Sequence, residues 1–267
     1  MNKRVGTIIS NLKKRTRSIR NNLKERVLPF NFIFPSLITI SALCFGITAI
    51  RFAMFGLYER AMLCILIAAL LDLFDGRVAR ILGVSSTFGA ELDSLSDAVC
   101  FGVAPAITVY MWGLYGNLFG WTISLFFAVC GVLRLARFNT MLYEAPKTKT
   151  TNADYFTGVP IPAAAYLALM PIVMQNVAYA YDMALPINWL SALFLIGGGF
   201  LMVSTIPTLS TKKMHISKNQ LVPVLAVIGL VTAFIITQPQ ISYLLIGTTY
   251  LLTIPYTWHK AKREQSR

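Results

Sequence analysis

The sequence predicts an all-α integral membrane protein of about eight transmembrane helices, with both termini cytoplasmic and an amphipathic interfacial helix ahead of the first span. Three observations predict it. The 267 residues are 56% hydrophobic and 13% charged, with a mean hydropathy of +0.63, whereas a soluble domain of this size carries about a quarter charged residues. Apolar runs of about 18 residues or more, each long enough to cross a bilayer as a helix, recur along the chain. Of the 24 Lys and Arg residues, all but Arg51 and Arg60 fall in alternate connections and at the two ends, which the positive-inside rule assigns to the cytoplasm.

Each element follows in order. Residues 1–33 form a basic segment in which Ile8, Leu12, Ile19, Leu23 and Val27 recur at helical spacing among Lys and Arg. That is the pattern of a helix lying on an anionic membrane surface. No short apolar core with a small-residue cleavage site follows it, so it does not read as a cleaved leader. Hydropathy predicts spans at 34–56, 60–82, 92–114, 118–138, 158–180, 188–206, 221–237 and 240–258. An even number returns the chain to its starting side, in agreement with the charges. Residues 34–206 form the transmembrane core, and 207–267 add two further helices and a basic tail. The connections assigned outside, such as "LYGN" and "QPQ", are short. The polar stretch 138–162 is long and cytoplasmic, and connections of that length are generally functional or disordered. Gly158, Pro160 and Pro162 shape its return into the fifth helix.

Composition also excludes alternatives. The +13 net charge is spread along membrane edges rather than over one face, so nucleic acid is not an expected partner. Cys44, Cys64, Cys100 and Cys130 all lie in apolar runs without metal-ligand spacing and read as small packing residues. His215 and His259 sit in basic segments and read as solvated.

One stretch contradicts the apolar setting. "LLDLFDGRVARILGVSSTFGAELDSLSDAVCFG", residues 70–102, carries Asp72, Asp75, Glu91, Asp93 and Asp97. A charge at membrane depth costs roughly 3 kcal/mol, which partners, water or a bound ion must recover. Asp72 and Asp75 are three apart at the end of the second helix, and Asp93 and Asp97 four apart at the start of the third, so each pair shares a face. If the two helices run antiparallel, the pairs oppose one another, and four converging carboxylates repel unless cations sit between them. Hard divalent ions take such oxygen ligands and share them with substrate phosphates, and two of them clamp a phosphoryl group in transfer. Gly76 lets a ligand approach the backbone, and Arg80 is placed to pair a phosphate. Small residues at Ala79, Gly83, Ser86, Ala90, Ser94 and Ala98 allow close helix approach. A cation transporter is the weaker alternative, since the acids gather at one interface and no inverted repeat is visible.

The run Asp72-x2-Asp75-Gly76-x2-Ala79-Arg80-x8-Gly89-x3-Asp93-x3-Asp97 resembles the signature of the CDP-alcohol phosphatidyltransferases at every fixed position. The resemblance implies that Asp72 and Asp93 bridge two divalent metals, Mg²⁺ or Mn²⁺, that Asp75 binds one and Asp97 the other, and that Asp97 is also the general base. It implies a CDP-diacylglycerol site bordered by Gly76, Ala79 and Arg80, with Ser86 beside them. Ser36 and Thr39 stand in Pro35-Ser36-Leu37-Ile38-Thr39, where the family often has Pro-Asn-x-x-Thr. It also implies a homodimer in the cell membrane with its active site facing the cytoplasm. The flanks "SLSDAVCFGVAPA", "RLARFN" and "FTGVPIPAAA" are similar to those of serine-using members. L-Serine is therefore the expected acceptor, with Arg134, Arg137 and Asn139 as candidates for holding it. Glycerol 3-phosphate and inositol phosphate are the alternatives.

Overall fold

The computed structural model describes residues 33–83, 87–144, 155–205, 207–209 and 221–265. The basic segment 1–32, Ser86 and most of the long polar connection lie outside them. Eight helical segments follow one another: α1 (Ile33–Met54), α2 (Tyr58–Ile81), α3 (Thr87–Leu114), α4 (Gly120–Glu144), α5 (Ile161–Tyr179), α6 (Ile187–Val203), α7 (Leu221–Thr237) and α8 (Pro239–Gln265). Several outlast their hydropathy windows. α3 starts at Thr87 rather than 92, and α4 and α8 run on to Glu144 and Gln265. Hydropathy registers only the lipid-facing part of a helix, and polar residues such as Glu91 or Lys262 extend it without adding apolar signal.

Among the described residues, four helical stretches are long and apolar enough to cross a membrane: Phe34–Met54, Thr87–Leu114, Gly120–Met141 and Ile161–Tyr179. A fifth arises if Gly229–Thr237 and Pro239–Thr257, bent by 119° at their junction, count as one span. The count stops short of eight for identifiable reasons. α2 is interrupted by Asp72, Asp75, Arg77 and Arg80, α6 has only 17 residues, and Pro239 breaks the last pair. Large apolar side chains point outward along most of the described helices, Leu63, Leu133, Leu193 and Leu252 among them, while α5 is enclosed by its neighbours. Such a surface is untenable in water and natural in lipid. The chain is a helical membrane protein.

α1 and α2 make the most extensive helix pairing among the described residues. α1 ends at Gly56, whose left-handed φ of 75° lets Leu57 N–H bond the Phe52 carbonyl and Gly56 N–H the Ala53 carbonyl. This double closure turns the chain directly back into α2. α1 presents a stripe of small residues, Thr39, Ala42, Gly46, Ala49 and Ala53, spaced three and four apart and mostly buried. In lipid, where no hydrophobic force drives helices together, such a stripe permits the close approach that does. A Cβ at Gly46 would lie 2.5 Å from Cys100 Sγ of α3.

α3 is regular to Asp97, then widens into π-helical turns at Ala98–Val103 and again at Tyr110–Leu114. Pro105 has no N–H for the ordinary helical bond to the Phe101 carbonyl, which accounts for the irregularity before it. Cys100 Sγ donates to the Ala42 carbonyl at 3.3 Å across the α1–α3 seam.

One two-stranded ribbon was not foreseen. Tyr155–Thr157 pairs antiparallel with Pro207–Leu209, tying the end of the long connection to the chain leaving α6. Behind it, Gly158 (φ 81°) presses on α6. A Cβ there would lie 2.7 Å from the Ser204 carbonyl and 2.9 Å from that of Met202. α8 docks on α5 through a reciprocal clasp. The Tyr166 hydroxyl donates to the Tyr243 carbonyl at 2.8 Å, the Tyr243 hydroxyl to the Tyr166 carbonyl at 2.6 Å, and the rings stack 3.9 Å apart.

Candidate active site

The four aspartates converge at one end of the bundle, between the last turns of α2 and the first turns of α3. Carboxylate oxygens of Asp72, Asp75 and Asp93 all lie within 4.8 Å of one another. Asp97, one turn beyond Asp93, is within hydrogen-bonding reach of Asp72. At such spacing each pair of ionised carboxylates repels by about 4 kcal/mol at a protein-like dielectric.

α1 holds the cluster in place. The Thr39 hydroxyl donates to Asp75 Oδ2 at 2.8 Å, with the Pro35 carbonyl as its other acceptor at 3.1 Å. The Thr39 carbonyl in turn accepts from Ser96 Oγ of α3 at 3.4 Å. Thr39 thus links α2 to α3, and both it and Asp75 are 5% exposed. Ser36 lies half-buried one turn earlier in α1.

The donor set fits divalent cations. It is made of carboxylate oxygens, the ligands hard cations take, and Asp93 Oδ1 is buried without a hydrogen-bond partner among the described residues. A buried carboxylate oxygen left unpaired costs more than an ordinary buried acceptor, and a cation shared with Asp72 and Asp75 removes that cost.

Gly76 and Arg80 follow the acids on the open side of α2. Nothing lies within 4 Å of where a Gly76 Cβ would be, so packing does not demand glycine there. Arg80 Nε donates to the Gly76 carbonyl at 2.9 Å, which fixes the root of an exposed guanidinium beside that opening. Ala79 shares this last turn and a half of α2.

The three acceptor candidates on α4 have different surroundings. Arg137 donates to the carbonyls of Val203 at 2.8 Å, Ser204 at 3.3 Å and Met202 at 3.5 Å, so it caps the C-terminus of α6, where helix carbonyls lack partners. Asn139 Nδ2 donates to Ser94 Oγ at 3.0 Å, bracing α4 against the turn of α3 between Asp93 and Asp97. Arg134 is half-buried, its Nε is enclosed without a partner among the described residues, and it lies within electrostatic range of Asp97 and of Tyr250 on α8. A small open cleft, with a cavity volume of about 10 Å³, is lined by Arg134, Arg137, Phe138 and Met141. Sequence reasoning missed Ser96 and Tyr250. One is a serine among serines and the other a tyrosine in an apolar helix, and nothing in their spacing marks either.

This site on a helical membrane scaffold has a counterpart among known proteins. The CDP-alcohol phosphatidyltransferase family profile matches residues 32–197, and the chain belongs to that family. Among curated relatives, a CDP-diacylglycerol–serine O-phosphatidyltransferase of Mycobacterium leprae is 37% identical over 235 residues, 86% of this chain and 76% of its own. The protein of the same name from Helicobacter pylori is 36% identical over 209 residues, 76% of this chain and 84% of its own. That from Bacillus subtilis is 37% identical over 190 residues, which span 96% of it but 71% of this chain, and is therefore the shorter protein.

Proposed function

We propose that the chain transfers the phosphatidyl group of CDP-diacylglycerol to the hydroxyl of L-serine, giving phosphatidylserine and CMP. The observation that carries the reading is the oxygen-only cluster of Asp72, Asp75 and Asp93, with Asp97 beside it and an uncrowded Gly76 at its mouth. The names of the relatives supply the acceptor.

CDP-diacylglycerol reaches the site from the inner leaflet, its CDP head against Gly76, Ala79 and Arg80, and Thr39 keeps Asp75 oriented beneath it. The chemistry supplied when two divalent cations, Mg²⁺ or Mn²⁺, are held by Asp72, Asp75, Asp93 and Asp97 is neutralisation of the pyrophosphate and of the charge its departing half carries. Arg134 attracts the serine carboxylate. Asp97 takes the serine hydroxyl proton as the oxygen attacks the phosphorus that bears diacylglycerol. The bond from that phosphorus to the CMP oxygen breaks, and CMP leaves. Positioning and charge neutralisation suffice, and no covalent enzyme intermediate is required.

The same reading makes 34–206 the catalytic unit, preceded by a membrane-surface segment and followed by two accessory helices. It puts the termini and the acidic end on the cytoplasmic face of the cell membrane, in a homodimer. An acceptor panel with purified protein, CDP-diacylglycerol and Mg²⁺ or Mn²⁺ tests the reaction. CMP release is expected with L-serine far above that with glycerol 3-phosphate or inositol phosphate, and equal rates with either phosphate defeat the serine assignment. Cysteines substituted at Lys147 and Lys213 should be labelled from the inner side only. Labelling from outside intact cells overturns the orientation.

A further inference from the structure

α8 lies beyond the residues matched by the family profile, and its threonines contrast with Tyr250. Thr248, Thr249, Thr253 and Thr257 all return their hydroxyls to carbonyls three or four residues back in the same helix. Tyr250 cannot, because its hydroxyl stands at the far end of a ring. That hydroxyl is buried and has no hydrogen-bond partner among the described residues. Leaving a phenol so costs about 1–3 kcal/mol, and phenylalanine fills the same space without that cost.

The group nearest in character is Arg134 on α4. Its Nε is likewise buried and unpartnered, and it and Tyr250 lie within electrostatic range of each other. Two enclosed hydrogen-bond donors, one of them a cation that lines the cleft and lies within range of Asp97, describe a seat for a small anion next to the base.

We infer that Tyr250 is a specificity-determining residue of the acceptor site, its hydroxyl joining the Arg134 guanidinium in receiving the carboxylate of the incoming amino acid. This rests on the serine reading above and extends it to a helix outside the catalytic unit. α8 lies outside the residues that the family profile matches, so it refines acceptor binding rather than performing the transfer, and the effect of Tyr250 falls on KM.

The test compares full-length wild type and Tyr250→Phe with two acceptors: L-serine, and serinol, in which a hydroxymethyl group replaces the carboxylate. Removing one hydrogen bond to a charged group should raise KM for L-serine about tenfold at unchanged kcat. The rate with serinol and KM for CDP-diacylglycerol should not move, so preference for serine over serinol falls by the same factor. An unchanged KM for serine overturns the inference. A parallel loss with both acceptors, or loss of CDP-diacylglycerol binding, also overturns it, since the hydroxyl then supports the helix or the lipid substrate instead. If wild type itself does not prefer L-serine to serinol, the serine reading fails first, and that failure is seen without the variant.

Discussion

The two ends of the chain are packed by opposite rules. In α1–α3, small residues let backbones close on one another. Cys100 donates across the α1–α3 seam, Thr39 bridges α2 and α3, and a single added carbon at Gly46 has no room. In α7–α8, α7 packs extensively on α8 alone among the described elements. Leu230, Val231, Phe234 and Ile236 face outward, and a Cβ at Gly229 would meet nothing within 4 Å. The difference teaches where preorganisation is spent. Four carboxylates that repel one another stay in a productive arrangement only if the helices bearing them cannot relax apart. A helix that bears none of those carboxylates needs only a clasp such as Tyr166–Tyr243.

The largest effect belongs to the acidic end. Asp97→Asn keeps an oxygen ligand and the side-chain volume but cannot take a proton. Transfer at saturating serine should fall by the roughly 10²–10⁴-fold typical of removing a general base, while CDP-diacylglycerol still binds in the presence of Mg²⁺ or Mn²⁺. Retention of more than a few per cent of the rate places deprotonation elsewhere. In Asp72→Asn and Asp93→Asn, cation binding should be lost along with turnover, and in the wild type EDTA should abolish activity that either ion restores. Turnover that persists in chelator separates the cluster from the chemistry.

Next comes the seam that holds those acids. Gly46→Ala forces an atom to within 2.5 Å of Cys100 Sγ and 3.1 Å of Cys100 Cα, an overpacking that costs about 1–3 kcal/mol. The thermal midpoint in detergent should drop by several degrees and activity should fall with it. Adding Cys100→Ala removes the nearest obstacle, so part of the loss should return. A Gly46→Ala protein as stable and active as wild type shows that the α1–α3 seam is looser than its distances.

How much of this was legible beforehand depends on what each feature left in the sequence. The aspartates were legible because charge in an apolar run is conspicuous and spacings of three and four fix a shared face. Thr39 was reached only through the family pattern, since its hydrogen bond to Asp75 spans 36 residues of sequence. Arg134 and Arg137 look alike three residues apart on one helix. Yet Arg137 is occupied by the carbonyls that end α6 and Arg134 is not, a distinction made by a helix some 60 residues further on. The ribbon of Tyr155–Thr157 and Pro207–Leu209 was invisible because three-residue strands have no periodicity to detect. The bend between the last two helices was hidden for a related reason. Hydropathy scores each segment alone, while the 119° bend at Pro239 is a relation between two of them.

The clasp holding α8 should show a smaller effect than the seam. Tyr243→Phe deletes the hydroxyl that donates to the Tyr166 carbonyl at 2.6 Å but leaves the stacked rings. The loss should be about 1 kcal/mol, read as a modest drop in thermal midpoint. KM for serine should rise slightly, because α8 then holds Tyr250 less firmly. A collapse as large as that of Gly46→Ala makes α8 part of the core and erases the difference between the two ends.

The smallest effect is expected at Gly229, and its sign carries the information. Glycine inside a helix is worth up to about 1 kcal/mol less than alanine, because it has more backbone freedom to lose on ordering. Where a neighbour occupies the space of the missing side chain, that gain is overwhelmed, as at Gly46. At Gly229 nothing occupies it, so only the backbone contribution remains. Gly229→Ala should leave activity unchanged and the thermal midpoint equal to or slightly above wild type. The same one-carbon addition would then destabilise one end of the chain and not the other. A drop comparable to that at Gly46 means a surface packs against α7, and since this side faces outward in the single chain, the partner would be a second copy. The loss should then deepen with dilution in detergent, where dimers dissociate, and analytical ultracentrifugation of the variant would read that directly.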